Sequence, residues 1–194
     1  CILESRLPEI EEICLLASEK SIGQTLAFRG KTVTVQSAAQ FDPNQADYAI
    51  FSAGSVVSKE LATKFAAACC TVVDNSSQFR YDDDKLLIVP EVNGDLLAAA
   101  PRDSIIANPN CSTIQIVVAL APIARVFGLS RINVCTYQAV SGAGRKGIDA
   151  LSGDSPWESA FAKPIAANVI PQIDAFQANG YTKEEMKVVW ESRK

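Results

Sequence analysis

Ile105-Ile106-Ala107-Asn108-Pro109-Asn110-Cys111-Ser112-Thr113 is the stretch on which the fold turns. Its first three residues form an apolar, strand-like run. Asn108-Pro109 then breaks the strand in a turn. Beyond it Ile114, Val117, Val118, Leu120 and Ile123 recur at helical spacing. Cys111 falls at the junction, at the N-terminus of the predicted helix. Free N–H groups and the helix dipole favour a thiolate there, and the thiolate is the form that attacks carbon. The same pattern suits a small buried hydrophobe opening a core helix. Polar Asn110, Ser112 and Thr113 exceed what such a helix start needs, and both readings stand at this point.

The rhythm repeats outward from that junction. Cys1 to Arg6 reads as the end of a helix. Ile13 to Leu16 and Tyr48 to Phe51 read as buried strands, and Thr32 to Val35 alternates as a strand does. Ser58 is a candidate cap for a helix running to about Cys69, with Leu61 and Phe65 one turn apart. Thr71 to Asp74 and Leu86 to Val89 read as strands, and Asn93 as the cap of a short helix to Ala100. Downstream, Arg131 to Val140 is apolar and β-branched and predicts a strand, followed by the Gly-rich loop Ser141 to Gly147. Thr182 with Glu185 forms a capping box for a helix at the C-terminal end.

Alternation of this kind predicts an α/β fold with a mostly parallel sheet covered on both faces. Ligands of such sheets gather beyond the carboxyl ends of the strands. The loops at Ser18, Ser52, Asn75 and Asn108 all follow predicted strands, and all are small and polar.

Composition narrows the function. The 194 residues carry a net charge of −4 and no basic tract, which argues against nucleic acid or an anionic membrane as partner. No apolar run reaches the length that spans a bilayer, and no signal peptide opens the chain. The six cysteines have the spacing of neither a zinc site nor a small disulfide scaffold, so no metal and a reducing, cytoplasmic compartment are expected. Histidine is absent. A cysteine enzyme commonly uses one as base and acid near neutral pH.

Several motifs together resemble one family. They are Leu15 to Gly23 (LLASEKSIG), Phe51 to Gly54 (FSAG), Asp74 to Arg80 (DNSSQFR) and Val89 to Asn93 (VPEVN). They continue with Ala107 to Thr113 (ANPNCST), Thr136 to Gly144 (TYQAVSGAG) and Gly180 to Lys187 (GYTKEEMK). In this order they resemble aspartate-semialdehyde dehydrogenase, the bacterial type. The resemblance implies a Rossmann-like dinucleotide domain over residues 1–110, without its first strand and Gly-rich loop. Part of an α+β catalytic and dimerisation domain is implied over residues 111–194.

The resemblance also implies chemistry. The family reduces aspartyl-4-phosphate with NADPH to the semialdehyde and phosphate, on the route to lysine, methionine and threonine. Cys111 matches the nucleophile that forms an acyl-thioester, Asn110 a residue shaping the acyl site, and Gln138 the residue orienting the acyl group. Arg80 matches a phosphate-binding arginine. Glu184 and Lys187 match an acid that grips the substrate amine and a lysine that grips its phosphate. Lys20 and Ser21 match contacts to the 2′-phosphate of NADP, and Ala53, Ser141 and Gly142 line the cofactor. A homodimer is implied.

The chain departs from the family pattern by starting after the phosphate loop and ending before the family's acid–base histidine and substrate-carboxylate arginine. The stretch from Ile148 to Pro171 is also shorter than usual. A longer natural protein is therefore expected, with these residues alone inactive. The rival readings are another acylating dehydrogenase, such as an N-acetyl-glutamyl-phosphate reductase, and a non-catalytic fragment that only dimerises.

Overall fold

The computed structural model describes residues 2–194; Cys1, the first residue of the predicted opening helix, lies outside them. A short helix α1 (Ile2–Arg6) leads into strand β1 (Leu15–Ala17). A hairpin follows, β2 (Thr25–Phe28) and β3 (Lys31–Ser37). β3 pairs parallel with β1 and antiparallel with β2, in the order β1-β3-β2. The hairpin turns on Arg29-Gly30, with φ of 48° and 75°. Positive φ at both central residues matches the twist of the flanking strands, and it is unfavourable for an arginine. The position is offset by hydrogen bonds. The Arg29 N–H donates to Glu4 Oε1 (2.7 Å), and its guanidinium donates to the carbonyls of Leu7 (2.7 Å) and Ile10.

The second sheet holds β4 (Tyr48–Phe51), β5 (Thr71–Asp74), β6 (Leu86–Leu87) and β7 (Ile105–Ala107) in the order β4-β5-β7-β6. Every pairing in it is parallel. Helix α2 (Ser55–Ala67) crosses from β4 to β5. It buries Leu61, Ala62, Phe65 and Ala66 against Phe51, Val72 and Ala107. The Phe51 and Phe65 rings meet edge to face, 5.4 Å between centroids. Each buried phenyl stabilises this layer by about 2 kcal/mol.

Helix α3 (Pro90–Asn93) passes into a 3₁₀ segment over Gly94–Ala99. Helix α4 (Cys111–Phe127) follows β7, and α5 (Arg145–Ser152) follows a 3₁₀ turn at Val140–Ala143. Helix α6 (Lys183–Glu191) closes the chain with the predicted capping box: the Glu185 N–H donates to Thr182 Oγ1 (3.3 Å), and the Thr182 N–H to Glu185 Oε2 (2.6 Å).

Five expectations need correction. Asn93 does not cap a helix to Ala100: α3 already begins at Pro90, and the Asn93 side chain bonds backward, accepting from the Val89 N–H (2.9 Å) and donating to the Leu87 carbonyl (3.0 Å). Tyr48 to Phe51 is buried on one face only: Tyr48 and Ile50 are 71% and 66% exposed, because α2 packs on the Phe51 face of β4 and these two side chains point to the other. Helix α2 begins at Ser55 behind Gly54, so Ser58 is not its cap. Ser58 lies one turn in and donates instead to the buried Asp74 carboxylate (2.7 Å). Arg131 to Val140 forms no strand. Its apolar residues Ile132, Val134 and Tyr137 are exposed, and a β-branched run makes a strand only when a neighbouring backbone completes its ladder. The Gly-rich segment is not a continuous loop, since α5 starts at Arg145.

No helix among the described residues is long and apolar enough to cross a membrane.

Candidate active site

The carboxyl ends of β5 and β7 point at the same region, and the loops that leave them are tied together. The Asn108 side chain donates to Asn75 Oδ1 (2.6 Å). Asp74, fully buried, accepts from Ser58 Oγ, from the Ser76 N–H and from Ser76 Oγ at 2.7, 3.1 and 2.7 Å. Three donors converging on one buried carboxylate hold its loop rigid. That loop carries Arg80.

Asn110 is the N-cap of α4. Its Oδ1 accepts from the Ser112 N–H (2.9 Å) and, more weakly, from the Thr113 N–H (3.4 Å). Cys111 follows as the first helical residue and is exposed. Its own N–H is one of the first-turn donors that a helix leaves without an internal acceptor. The thiol therefore stands at the positive end of a 17-residue helix, open to solvent. That excludes the alternative of a sealed core cysteine.

Helix α6 brings two acids to the same place. Glu184 Oε1 accepts from Asn110 Nδ2 (2.9 Å) and Gln138 Nε2 (3.3 Å), and its Oε2 accepts from Lys187 Nζ (3.0 Å). Lys187 also donates to Asp174 Oδ2 (3.3 Å). The Glu184 and Lys187 side chains are 12% and 16% exposed. Four of the six predicted catalytic and substrate-binding residues, Asn110, Gln138, Glu184 and Lys187, thus lie in one contiguous hydrogen-bond network, and Cys111 is the next residue after Asn110. Arg80 joins it through Glu191 rather than directly: its Nη1 donates to Glu191 Oε1 (3.1 Å) and its Nη2 to the Asn75 carbonyl (3.1 Å).

Burial pushes the Glu184 carboxyl up, but Lys187, Asn110 and Gln138 outweigh it and hold the group below its ordinary 4.5. Burial likewise pulls Lys187 down, while Glu184 and Asp174 raise it above 10.5. The depressed acid contributes stability that is complete above 4.5 and lost as pH falls through its lower folded value. The elevated lysine contributes stability that is complete below 10.5 and lost as pH rises through its higher folded value. The pair should therefore be indifferent to pH across the neutral range. Subtracting the unfolding free energy of E184Q from that of the natural sequence should give a difference that is flat from about pH 6 to 9 and shrinks only in acid below 4.5. A difference already falling between about pH 7 and 5 would contradict this geometry.

The predicted cofactor residues fall in three separate turns, two of which directly follow strands. Lys20 and Ser21 occupy a single 3₁₀ turn directly after β1, with Lys20 exposed. Ala53 follows β4. Gly54, at φ 87°, caps α2 without any side-chain hydrogen bond, and nothing lies within 4 Å of where a Cβ would stand. Open space at an uncapped helix N-terminus suits an anionic ligand. Ser141 and Gly142 lie in the 3₁₀ turn after Gln138.

That last turn is braced from behind. A Cβ on buried Gly147 of α5 would lie 2.4 Å from the Val140 carbonyl oxygen and 2.9 Å from Ala143 Cβ. Gly147→Ala should therefore push the Ser141-Gly142 turn out of place. It should lower stability by about 1–3 kcal/mol in denaturant titration and weaken dinucleotide binding in fluorescence titration. A variant with unchanged midpoint and affinity would show that α5 does not brace this turn.

Three members of the network were not singled out from sequence. Glu191 lies two turns from Glu184 on the same face of α6, so the spacing was there to be read. Tyr81 donates to Glu191 Oε1 (3.2 Å) and packs edge to face on Trp190. Asp174, at φ 68°, accepts from the following Ala175 N–H (2.8 Å), and no local pattern announces its partner Lys187.

Comparison with known proteins gives the family and the fold. Residues 1–100 match the family model "Semialdehyde dehydrogenase, NAD binding domain", and residues 120–194 match "Semialdehyde dehydrogenase, dimerisation domain". The chain is 52% identical to aspartate-semialdehyde dehydrogenase 2 of Vibrio cholerae, with all of the chain and 60% of that protein covered. It is 43% identical to the aspartate-semialdehyde dehydrogenase of Bacillus subtilis, covering 99% of the chain and 59% of the relative. The crystal structure of Vibrio cholerae aspartate semialdehyde dehydrogenase II complexed with ASA superposes with a TM-score of 0.93 at 51% identity, over 100% of this chain and 60% of that one. The chain thus spans about three fifths of the length of the relatives it matches.

Proposed function

The chain belongs to the semialdehyde dehydrogenase family, and from that premise we propose that the protein reduces aspartyl-4-phosphate to aspartate-4-semialdehyde and phosphate, using NADPH, in the synthesis of lysine, methionine and threonine. The observation that carries this reading is the Glu184 carboxylate, held by Asn110, Gln138 and Lys187 beside Cys111 at the head of α4. Residues up to 110 form the dinucleotide domain. Residues from 111 onward belong to the catalytic and dimerisation domain of a cytoplasmic homodimer.

In this mechanism the Cys111 thiolate attacks the acyl phosphate carbon. The C–O bond to phosphate breaks as the C–S bond of a thioester forms, and Arg80 and Lys187 hold the departing phosphate. The first-turn N–H of α4 faces the oxyanion of the tetrahedral intermediate. Gln138 orients the acyl group, and Glu184 binds the substrate ammonium. Lys20, Ser21, Ala53, Ser141 and Gly142 would hold NADPH, which supplies the hydride that reduces the thioester. A thioester accepts hydride more readily than a carboxylate or an oxygen ester, which accounts for sulfur at position 111. Collapse of the reduced centre releases the aldehyde and returns the thiolate.

The chain has no histidine, so the acid–base partner belongs to segments outside these residues, and a preparation confined to them should turn over nothing. The test is NADP reduction by the whole protein, with aspartate semialdehyde and phosphate as substrates. Strict dependence on phosphate and preference over N-acetyl-glutamate semialdehyde support the reading. The reverse preference would favour the acetylated-substrate reductase instead.

A further inference from the structure

Glu191 sits in the last turn of α6, where a negative charge opposes the helix dipole, and its side chain is 0% exposed. An acid is doubly disfavoured in such a place unless it is paired. Here it is paired three times. Oε1 accepts from Arg80 Nη1 (3.1 Å) and from the Tyr81 hydroxyl (3.2 Å), while Oε2 accepts from the Asn110 backbone N–H (2.6 Å). The Tyr81 hydroxyl is in turn pushed well above its ordinary value, by burial and then by the Glu191 charge, so it stays a donor to that oxygen at neutral pH. One carboxylate therefore bridges the Arg80 loop and the residue that caps the Cys111 helix.

We infer that Glu191 is a positioning residue of the reaction: it sets the guanidinium of Arg80 at a fixed distance from the N-terminus of α4, so that one phosphate can meet both. Two further observations carry this. Arg80 is 93% buried, counted from its 7% exposure, and its buried Nε finds no hydrogen-bond partner among the described residues. A buried guanidinium with an unused N–H is costly, so its place depends on the bonds that Glu191 and the Asn75 carbonyl make to its two terminal nitrogens. Glu184, on the same helix face, grips the Asn110 side chain while Glu191 grips its backbone. Asn110 is thereby fixed at both ends, and with it the cap of the nucleophile helix. The inference rests on the proposed acyl-phosphate chemistry for its meaning, but its geometry does not depend on that chemistry.

The test compares the natural protein with E191Q and E191D, using inorganic phosphate as the probe. Glutamine keeps the size and one acceptor oxygen, but it loses the charge and turns a donor toward Arg80 or Asn110. The account expects E191Q to weaken phosphate binding in calorimetry at least about tenfold, and to raise the KM for phosphate by a similar factor. The KM for NADP should stay within about twofold, because the cofactor residues lie elsewhere. E191D should recover part of the phosphate affinity. Unchanged phosphate binding in E191Q, no phosphate binding by the natural protein, or a parallel loss of phosphate and NADP affinity with unfolding would each overturn the positioning role. Absence of turnover by the natural protein, with the phosphate differences intact, would instead refute the proposed activity and leave the Glu191 geometry standing.

Discussion

Cys111→Ser should lower kcat by at least about 10⁴-fold while the protein stays folded and still binds NADP. The substitution changes one atom at an exposed position, so packing loses little. Chemistry loses much, because a serine hydroxyl at a helix N-terminus remains protonated at neutral pH and is a far weaker nucleophile than a thiolate. An oxygen ester, if it formed, would also accept hydride poorly. Two of the other thiols are poorer nucleophiles. Burial raises Cys14, with the nearby Glu12 charge adding to it, and burial raises Cys70 in the same way. Steady-state assay of C111S, with calorimetric NADP titration as the folding control, checks this. Residual activity within about tenfold of the natural protein would remove Cys111 from the mechanism.

Breaking the Glu184–Lys187 pair has the second largest consequence. Lys187→Met leaves a mostly buried carboxylate with only Asn110 and Gln138 as donors. Loss of one partner of a buried pair costs about 3–5 kcal/mol when nothing replaces it. With two donors remaining, about 2–3 kcal/mol is expected here. The double variant E184Q/K187M removes both charges and should recover part of that loss, leaving it within about 1 kcal/mol of the natural protein. Activity should not recover, because both side chains are assigned to the substrate. Urea denaturation of the single and double variants, with turnover measured alongside, separates the two effects. A double variant less stable than K187M would mean that the pair is no closed unit.

Much of this site was legible because its signals are local. The strand–turn–helix reading around Asn110-Cys111 depends on apolar period and on a Pro turn, both set within a few residues. The Thr182–Glu185 capping box is equally local, and it placed α6 to the residue. Where the reading failed, the deciding partner lay elsewhere in the chain. Arg131 to Val140 has the composition of a strand, yet a ladder needs a second backbone, which nothing in the segment itself supplies. Ser58 had the right chemistry for a cap, but the buried Asp74 carboxylate, sixteen residues away, draws its hydroxyl inward. β2 went unseen because Thr25 to Ala27 are exposed along an edge, and because Arg29-Gly30 is a less familiar turn pair than Asn-Gly. Arg80 was singled out from its motif, but its tie to Glu191 spans 111 positions, and no periodicity carries information over that distance.

The central claim is that the sulfur at the head of α4 carries the acyl group. The direct measurement is to incubate the protein with aspartate semialdehyde and NADP, omit phosphate, quench in acid and map the adduct by peptide mass spectrometry. The account predicts one aspartyl group bound through sulfur on the peptide containing Cys111, released when phosphate is added before the quench. Phosphate-dependent turnover with Cys111 unmodified, or the adduct on another cysteine, would contradict it.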